Sequence, residues 1–285
     1  MRPSPLIAGQ RASCRKGLWW KALFQELHGF IRSSFGSLLA PESLRLLIPL
    51  LVLWEELPRL DVVPRSLLPP PSALVTTLCY MFSRLNLVYH LEESAIRFTI
   101  GFILAVIMAI PIGVLLGWNS FIGKHCLPLF QMLAPIPPSA WVPVTIILLG
   151  IGLPMQVFLI FLGIFYPVLF NTYQGVKETD PRYIASARVF GASEFTIVTR
   201  VLFWHALGPI VMGVRIGSSI GLIMLVVAEM HACQSGIGYL LLRGKEYFQI
   251  DRMVVCMLLL GFAGWFMNEQ LKYLEAKLAV WRIER

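Results

Sequence analysis

Charged residues are scarce in this sequence of 285 residues. Lys, Arg, Asp and Glu together make up only 14% of the chain, whereas 57% of the residues are hydrophobic and the mean hydropathy is +0.72. A soluble domain usually carries about 25% charged residues. This chain has too little polar surface to cover a water-soluble body of its size, so its composition predicts a membrane protein.

The sequence also lacks the residue patterns of metal sites, disulfide frameworks and catalytic centres. Its five cysteines are scattered, none forms a CxxC pair, and the five histidines do not cluster near them. We therefore expect no metal and no cofactor in this chain. No nucleophile–base set indicates an enzyme. The nearest approach to a phosphate loop, Gly117 with Gly123-Lys124-His125, has one residue too many between its glycines and a histidine where Ser or Thr is needed.

The longest uncharged segment, residues 126–176, contains no Asp, Glu, Lys, Arg or His. A helix needs about 20 apolar residues to cross a bilayer, so this segment predicts two spans with a turn at 150–154. We predict an all-α, polytopic membrane protein with about six transmembrane helices. The other candidate spans are 44–54, which is the weakest, then 98–118, 207–228 and 253–268.

The placement of basic residues explains the net charge of +8. Sixteen of the 24 Lys and Arg residues lie in 1–45, 119–125, 176–207 and 270–285, against six in 58–95 and 231–252. Cytoplasmic loops carry the excess of Lys and Arg, so both termini are predicted to be cytoplasmic. We expect the protein to be surrounded by membrane lipid. We expect no nucleic-acid partner, because no basic cluster has a groove-reading pattern. The chain divides into a basic cytoplasmic segment, 1–43, and a transmembrane domain, 44–282.

The loop at 176–207 has the signals of a helical hairpin. Asp180 can cap a helix that starts with Pro181, and Gly191 tolerates the left-handed conformation that ends a helix after 182–190. Ser193 can then cap a second helix beginning at Glu194. On these signals alone, docking of a partner protein and a surface hairpin with no partner remain equal alternatives.

Four prolines interrupt the predicted third span: Pro135, Pro137, Pro138 and Pro143, beside Trp141. Irregular backbone at membrane depth survives only against protein or a water-filled cavity. We therefore predict that this segment lines a translocation path; the alternative is a kinked packing helix.

Two further features of the fifth predicted span stand out. Glu229 is an ionisable residue in an apolar stretch and requires a partner or water, so it is either an outer gate or a structural anchor. Gly213, Gly217 and Gly221 recur every four residues and form a stripe for close helix packing, within the subunit or across a dimer.

The loop sequence resembles the EAA loop of binding-protein-dependent ABC importer permeases. The residues that carry the resemblance are Tyr183, Ala185, Ser186, Ala187, Arg188, Gly191, Ala192 and Ser193. Segments 67–72, 136–143, 213–215, 228–230 and 235–240 resemble the branch that imports nitrate, sulfonates, taurine, bicarbonate or thiamine precursors. The loop departs from the family pattern at Ala185, which replaces the motif glutamate, and at Ser186, which replaces the second alanine.

The resemblance implies a type I permease fold in the inner membrane of a prokaryote. It implies a coupling helix in the loop that docks on a separate cytoplasmic ABC ATPase dimer, which would hold ATP and Mg. A second permease subunit, forming a homodimer, and an extracytoplasmic solute-binding protein are the other expected partners. The function expected is import of a small anionic solute without catalysis by this chain. The alternative is a self-contained secondary transporter, against which the sequence shows no inverted repeat and no chain of buried carboxylates.

Overall fold

The computed structural model describes residues 41–278, and every regular element among them is helical. Residues 1–40 of the predicted cytoplasmic segment 1–43 therefore lie outside the described residues. The chain divides into two compact units, Met1–Leu60 and Asp61–Arg285. The described part of the first unit is one helix, α1 (Pro41–Arg59).

The second unit contains ten α-helices among the residues described. They are α2 (Pro71–Arg84), α3 (Leu87–Trp118), α4 (Ser120–Leu133), α5 (Val142–Leu149), α6 (Leu153–Lys177), α7 (Pro181–Val189), α8 (Glu194–Thr196), α9 (Phe203–Ala232), α10 (Ile237–Glu246) and α11 (Ile250–Leu278). A 3-10 turn, Pro138–Trp141, precedes α5, and a π-helix, Ile197–Leu202, joins α8 to α9. This architecture confirms the prediction of an all-α membrane protein.

Four helical segments of the described chain are long and apolar enough to cross a membrane. They are Leu87–Trp118, Leu153–Lys177, Glu194–His231 and Ile250–Glu275. A fifth span is reached if the bent pair Ser120–Leu133 and Pro138–Leu149 counts as one. The described residues thus give four or five spans instead of six. The predicted first span, 44–54, lies on α1, which fails the test because five charged residues, Glu42, Arg45, Glu55, Glu56 and Arg59, occupy its two ends.

Helix α6 packs between α3 and α9 and forms the centre of the second unit. Small residues on α3 recur every four positions and face α6: Gly101, Ala105, Ala109, Gly113 and Gly117. A Cβ atom added to Gly113 would lie 2.9 Å from the Leu169 carbonyl oxygen, so the two backbones approach as closely as glycine permits. Such contact is how helices associate in lipid, where burying apolar surface gives little driving force.

The glycine stripe of the fifth predicted span contacts the other side of α6. A Cβ on Gly213 would lie 2.9 Å from the Pro167 carbonyl oxygen, and one on Gly217 would lie 2.9 Å from that of Ile164. The corresponding Cβ on Gly221 would meet the Ile164 side chain at 2.6 Å. Of the two alternatives that the sequence left open, the structure places the stripe in a contact within the subunit.

We predict that Gly217→Leu separates α9 from α6, because the new side chain would meet backbone atoms that have no free direction to move. Overpacking of this kind lowers the free energy of unfolding by about 1–3 kcal/mol. Thermal unfolding of the detergent-solubilised protein should show the loss. Gly261→Leu on α11 is the matched control, because a Cβ there meets nothing within 4 Å. Equal stability of the two variants would contradict the packing role.

Candidate functional site

The loop between the spans α6 and α8–α9 folds as a helix with defined caps at both ends. Asp180 accepts a hydrogen bond from the Arg182 amide at 2.8 Å, and Pro181 is the first helical residue. At the other end, the Ala192 amide donates to the Ala187 carbonyl and the Gly191 amide to the Arg188 carbonyl, both at 3.0 Å. This is a Schellman motif, and the φ of Gly191 is +77°, as its αL position requires. The helix runs from Pro181 to Val189, one residue earlier at each end than predicted.

A second cap and an ion pair fix the direction in which the chain leaves the turn. The Thr196 amide donates to the Ser193 hydroxyl at 3.3 Å, which confirms Ser193 as the cap of the next helix. The Arg188 guanidinium bridges the turn to Glu194, with N–O distances of 3.1 and 3.3 Å. It also lies 5.8 Å from the centre of the Trp118 ring, at the end of α3. The hairpin is therefore attached to the helical core.

The outer surface of the hairpin carries large apolar side chains. Phe190 is 90% exposed and Phe195 is 77% exposed, and the neighbouring Val189 is similarly exposed. The small residues Ala185 and Ser186 are exposed as well, whereas Ala187 and Ala192 are half-buried against the core. Tyr183 contacts His205 of α9 with ring centres 6.1 Å apart. Exposed apolar groups of this size, placed at the end of a membrane-spanning bundle, indicate a binding surface.

The proline-rich segment makes a sharp bend where a regular third span would run straight. Helix α4 ends at Leu133, and the next helical segment leaves it at an angle of 83°. Pro135 and Pro137 are exposed at the bend, and Pro138 is half-buried. Trp141 packs against a small cluster formed by Val142, Met155, Leu159 and Ala228. The bend and the 3-10 turn Pro138–Trp141 are the irregular backbone that we predicted from the prolines.

Glu229 is 0% exposed and accepts three hydrogen bonds, one of which is also an ion pair. Its Oε1 receives the Arg97 Nη1 at 2.9 Å and the Ser94 hydroxyl at 2.7 Å, and its Oε2 receives the Gly238 amide at 2.8 Å. Both oxygens of the carboxylate are therefore hydrogen-bonded. A buried carboxylate is tolerated only in such surroundings.

Arg97 extends this network to the segment that follows the span. Its guanidinium donates to the Ser235 hydroxyl at 2.6 Å, to the Ser235 carbonyl at 3.1 Å and to Glu93 at 2.6 Å. The Ile237 amide donates to Ser94, and the Gly236 amide to His90. The chain between α9 and α10 is thereby fastened to the first three turns of α3.

Glycine is required at two positions beside the carboxylate. A Cβ on Gly236, whose φ is +110°, would lie 2.3 Å from the Glu229 side chain, and one on Gly238 would lie 2.8 Å from its Cβ. The sequence identified Glu229 as a residue in need of a partner, but it did not identify Ser94, Arg97 or Ser235. The available signal was Arg97 itself, a second ionisable residue next to an apolar run.

Burial also affects Cys233, which follows the same span. It raises the pKa of the Cys233 thiol to about 11, so the thiol is protonated at neutral pH. A thiolate is the reactive form, and Cys233 is therefore a poor nucleophile. No group of His, Cys, Asp and Glu residues in the described part of the chain could hold a metal ion.

These features define a helical membrane protein with a projecting, capped hairpin, and comparison with known proteins identifies its family. Residues 98–278 match the family described as binding-protein-dependent transport system inner membrane component. The chain belongs to this family, and it is a permease subunit of an ABC importer. A putative ABC transporter permease protein of Methanocaldococcus jannaschii is 33% identical over 236 residues, covering 81% of this chain and 88% of that protein.

Relatives that are named for a solute have similar sequence identities. The putative aliphatic sulfonates transport permease SsuC of Bacillus subtilis is 30% identical, covering 83% of this chain and 87% of that protein. The taurine transport system permease TauC of Escherichia coli is 29% identical, covering 85% and 90%. An inward-facing structure of the MetNI methionine ABC transporter superposes with a TM-score of 0.57 over 67% of this chain and 95% of that chain. At 18% identity this likeness shows the fold alone.

We predict that Glu229→Gln destabilises the protein strongly, because it leaves Arg97 buried without its charged partner. Removal of one member of a buried pair typically costs about 3–5 kcal/mol, and the retained amide lowers the expected loss to about 3 kcal/mol. Thermal unfolding in detergent measures it. Glu246→Gln, whose carboxylate lies 3.2 Å from Arg243 in an exposed pair outside the candidate spans, is the control and should cost less than about 1 kcal/mol. A loss at Glu229 no larger than at Glu246 would contradict the anchoring role.

Proposed function

We propose that this permease subunit forms the path for a small anionic solute and couples its uptake to ATP hydrolysis on a separate protein. The observation that carries the proposal is the capped hairpin 181–196 with its exposed Phe190 and Phe195. Large apolar side chains outside the membrane need a partner surface, and the chain has no phosphate-binding loop of its own.

The hairpin is suited to transmit a movement of the ATPase. Its first helix ends in a Schellman motif and its second begins at a serine cap, so little of the turn is free to adapt. Arg188 joins the turn to Glu194 and to the end of α3. A displacement of α7 would therefore act on α3 and on the span that starts at Glu194. ATP and Mg would be held by the ATPase, which we propose to be a cytoplasmic dimer.

The solute class rests on the relatives. The permease TauC is named for taurine, and SsuC for aliphatic sulfonates. A third relative, NrtB of Synechocystis, is a nitrate import permease. Sulfonate and nitrate groups are both compact oxyanions, and taurine carries a sulfonate. We infer a small oxyanion-bearing solute, delivered by an extracytoplasmic solute-binding protein and passed between two identical permease subunits.

The path itself would run along the bent segment at Pro135, Pro137, Pro138 and Trp141. Its neighbours Ile147 and Leu148 are exposed in the single chain, which leaves a surface for the second subunit or for the path. Ala228 packs against this segment, and the adjacent Glu229 is held by Arg97. We infer that Glu229 positions the bent segment as an anchor and does not face the solute.

The proposed orientation places both termini and the hairpin in the cytoplasm of a prokaryote, with the protein in the inner membrane. In a variant without the five native cysteines, a cysteine at Arg65 should react with a membrane-impermeant maleimide in intact cells. A cysteine at Glu194 should react only after the membrane is opened. Because sixteen basic residues lie on the proposed inner side against six outside, we expect full protection of the second probe. Labelling at position 194 in intact cells would reverse the orientation.

We predict that Gly191→Val uncouples transport. A β-branched residue in the αL conformation costs about 1–2 kcal/mol, and nothing within 4 Å of the Cβ position compensates or clashes, so the strain is confined to the turn. In proteoliposomes that contain the permease and its ATPase, we expect ATP-driven uptake to fall at least about fivefold at normal membrane abundance. Gly191→Asn is the matched control, because Asn tolerates this backbone, and it should retain most of the uptake.

The same proteoliposomes test the proposed function as a whole. The chain without the ATPase should show neither ATP hydrolysis nor uptake. Uphill uptake by the chain alone, driven by a proton or sodium gradient, would instead show a self-contained secondary transporter. Equal uptake by Gly191→Val and the wild type would remove the coupling role of the hairpin while leaving the permease function intact.

A further inference from the structure

The turn after α10 has the same hydrogen bonds as the coupling hairpin but a different residue at its critical position. The Phe248 amide donates to the Lys245 carbonyl at 3.2 Å, and the Gln249 amide donates to the Gly244 carbonyl at 2.8 Å. These are the two bonds of a Schellman motif, and its αL position, with φ +55°, is Phe248. In the hairpin that position is Gly191.

A phenylalanine is poorly suited to this backbone. Among the described residues, the other non-glycine positions with positive φ are Asp61 and Asn86, residue types whose short polar side chains tolerate αL. A bulky side chain in this region is a true outlier. Burial does not compensate for it, because Phe248 is 87% exposed and the neighbouring Tyr247 is exposed too. Strain of this kind at an open aromatic residue indicates that the side chain acts on something outside the chain.

The turn lies at the opposite end of the bundle from the coupling hairpin. The span Glu194–His231 separates the two turns and contains 38 residues. At 1.5 Å per residue it is about 57 Å long, which exceeds the hydrocarbon thickness of about 30 Å. The turn therefore faces the extracytoplasmic compartment when the hairpin faces the ATPase.

Charged residues separate the turn from the hydrocarbon. Asp251 and Arg252 form the first turn of α11 and precede its apolar residues. Asp251 accepts a hydrogen bond from the Thr77 hydroxyl of α2 at 2.7 Å, which fixes this end of the helix. Phe248 lies beyond these charges along the chain, so a water-exposed position is favoured over contact with lipid.

The segment before Phe248 is held by contacts of an arginine and carries positive charge. The Arg243 guanidinium lies 5.3 Å from the Tyr239 ring centre and 5.9 Å from that of Tyr247, and it donates to the Tyr239 hydroxyl at 2.9 Å. Arg243 also pairs with Glu246 at 3.2 Å. With Lys245 exposed between them, the segment 243–247 has a net charge of +1, from two basic residues and one acidic residue. Prearranged aromatic side chains beside a cationic rim are typical of the centre of a protein interface.

We propose that Phe248 and Tyr247 form a docking contact for the extracytoplasmic solute-binding protein, with Phe248 entering an apolar pocket that is flanked by carboxylates opposite Lys245. This inference rests on the proposed function, which places such a protein on this side of the membrane. Glycine at position 248 would relieve the backbone but would remove the group that the partner binds.

Phe248→Gly tests the proposal, because it separates fold from contact. The permease–ATPase complex in lipid nanodiscs is titrated with the solute-binding protein that stimulates ATP hydrolysis by the wild-type complex. We expect binding at least about tenfold weaker, equivalent to about 1.4 kcal/mol, with unchanged basal ATP hydrolysis and no loss of thermal stability. Asn86→Gly is the matched control, because it places glycine at another exposed, positive-φ position and should bind normally.

Three results would overturn the proposal or locate the error. Unchanged binding by Phe248→Gly, with normal stimulation of the wild type, would remove the docking contact and leave the proposed function intact. Quenching of Phe248→Trp fluorescence by brominated phospholipid, in the absence of the binding protein, would assign the side chain to the membrane instead. Failure of the wild-type complex to respond to any solute-binding protein would contradict the proposed function itself.

Discussion

Close backbone contact on both sides of α6 is the constraint on which the rest of the fold depends. Lipid tails are as apolar as the helices, so helices associate through van der Waals contact and not through removal of apolar surface from water. At Gly113 on α3 and Gly217 on α9 the backbone lies so close to α6 that an added Cβ would be 2.9 Å from a carbonyl oxygen of α6. Dispersion attraction falls off steeply with separation, and a gap of even 1 Å forfeits much of it. The three helices therefore behave as one body.

This body has two unlike ends. At the hairpin end the polar contacts join residues that are close together in the sequence, such as Arg188 and Glu194, and the large apolar side chains are exposed. At the other end the polar contacts join distant parts of the chain, such as Arg97 with Glu229, and are buried. An exposed end suits a partner that moves against it, whereas a buried ion pair suits a region that must keep its geometry. The π-helix Ile197–Leu202 lies at the hairpin end, and such irregular turns within helices are common at functional sites.

The hairpin could be predicted almost to the residue, because its signals are local. Asp180-Pro181, Gly191 and Ser193 each determine the backbone within one or two residues of themselves, and their order also revealed the family. The bend at the prolines was predictable for the same reason. Its angle was not, since that depends on how α5 packs against Met155 and Ala228.

The buried network was not predictable, because its members are far apart along the chain. Glu229 and Arg97 are separated by 132 residues, and hydropathy gives no information about which of several ionisable residues will meet. The short helices α2 and α10, of 14 and 10 residues, were missed as well, because neither is long enough to give the apolar run of a membrane span. The six predicted spans exceed the four or five of the described residues. The predicted span 44–54 was the weakest of the six, and the charges at both ends of α1 leave it too short an apolar run to cross a membrane.

The choice between gate and anchor for Glu229 follows from what a gate requires. A gate residue must exchange partners as the path opens. The closed conformation, in which the residue keeps its partners, can therefore be only modestly lower in free energy than the open one. Glu229 would have to give up the Arg97 guanidinium, the Ser94 hydroxyl and the Gly238 amide together, and each of these would be left buried. Gly236 and Gly238 also pack directly on its side chain, so a movement of the carboxylate would displace the backbone between α9 and α10. We therefore infer that Glu229 is an anchor, which holds its neighbour Ala228 and, through it, the bent segment in place.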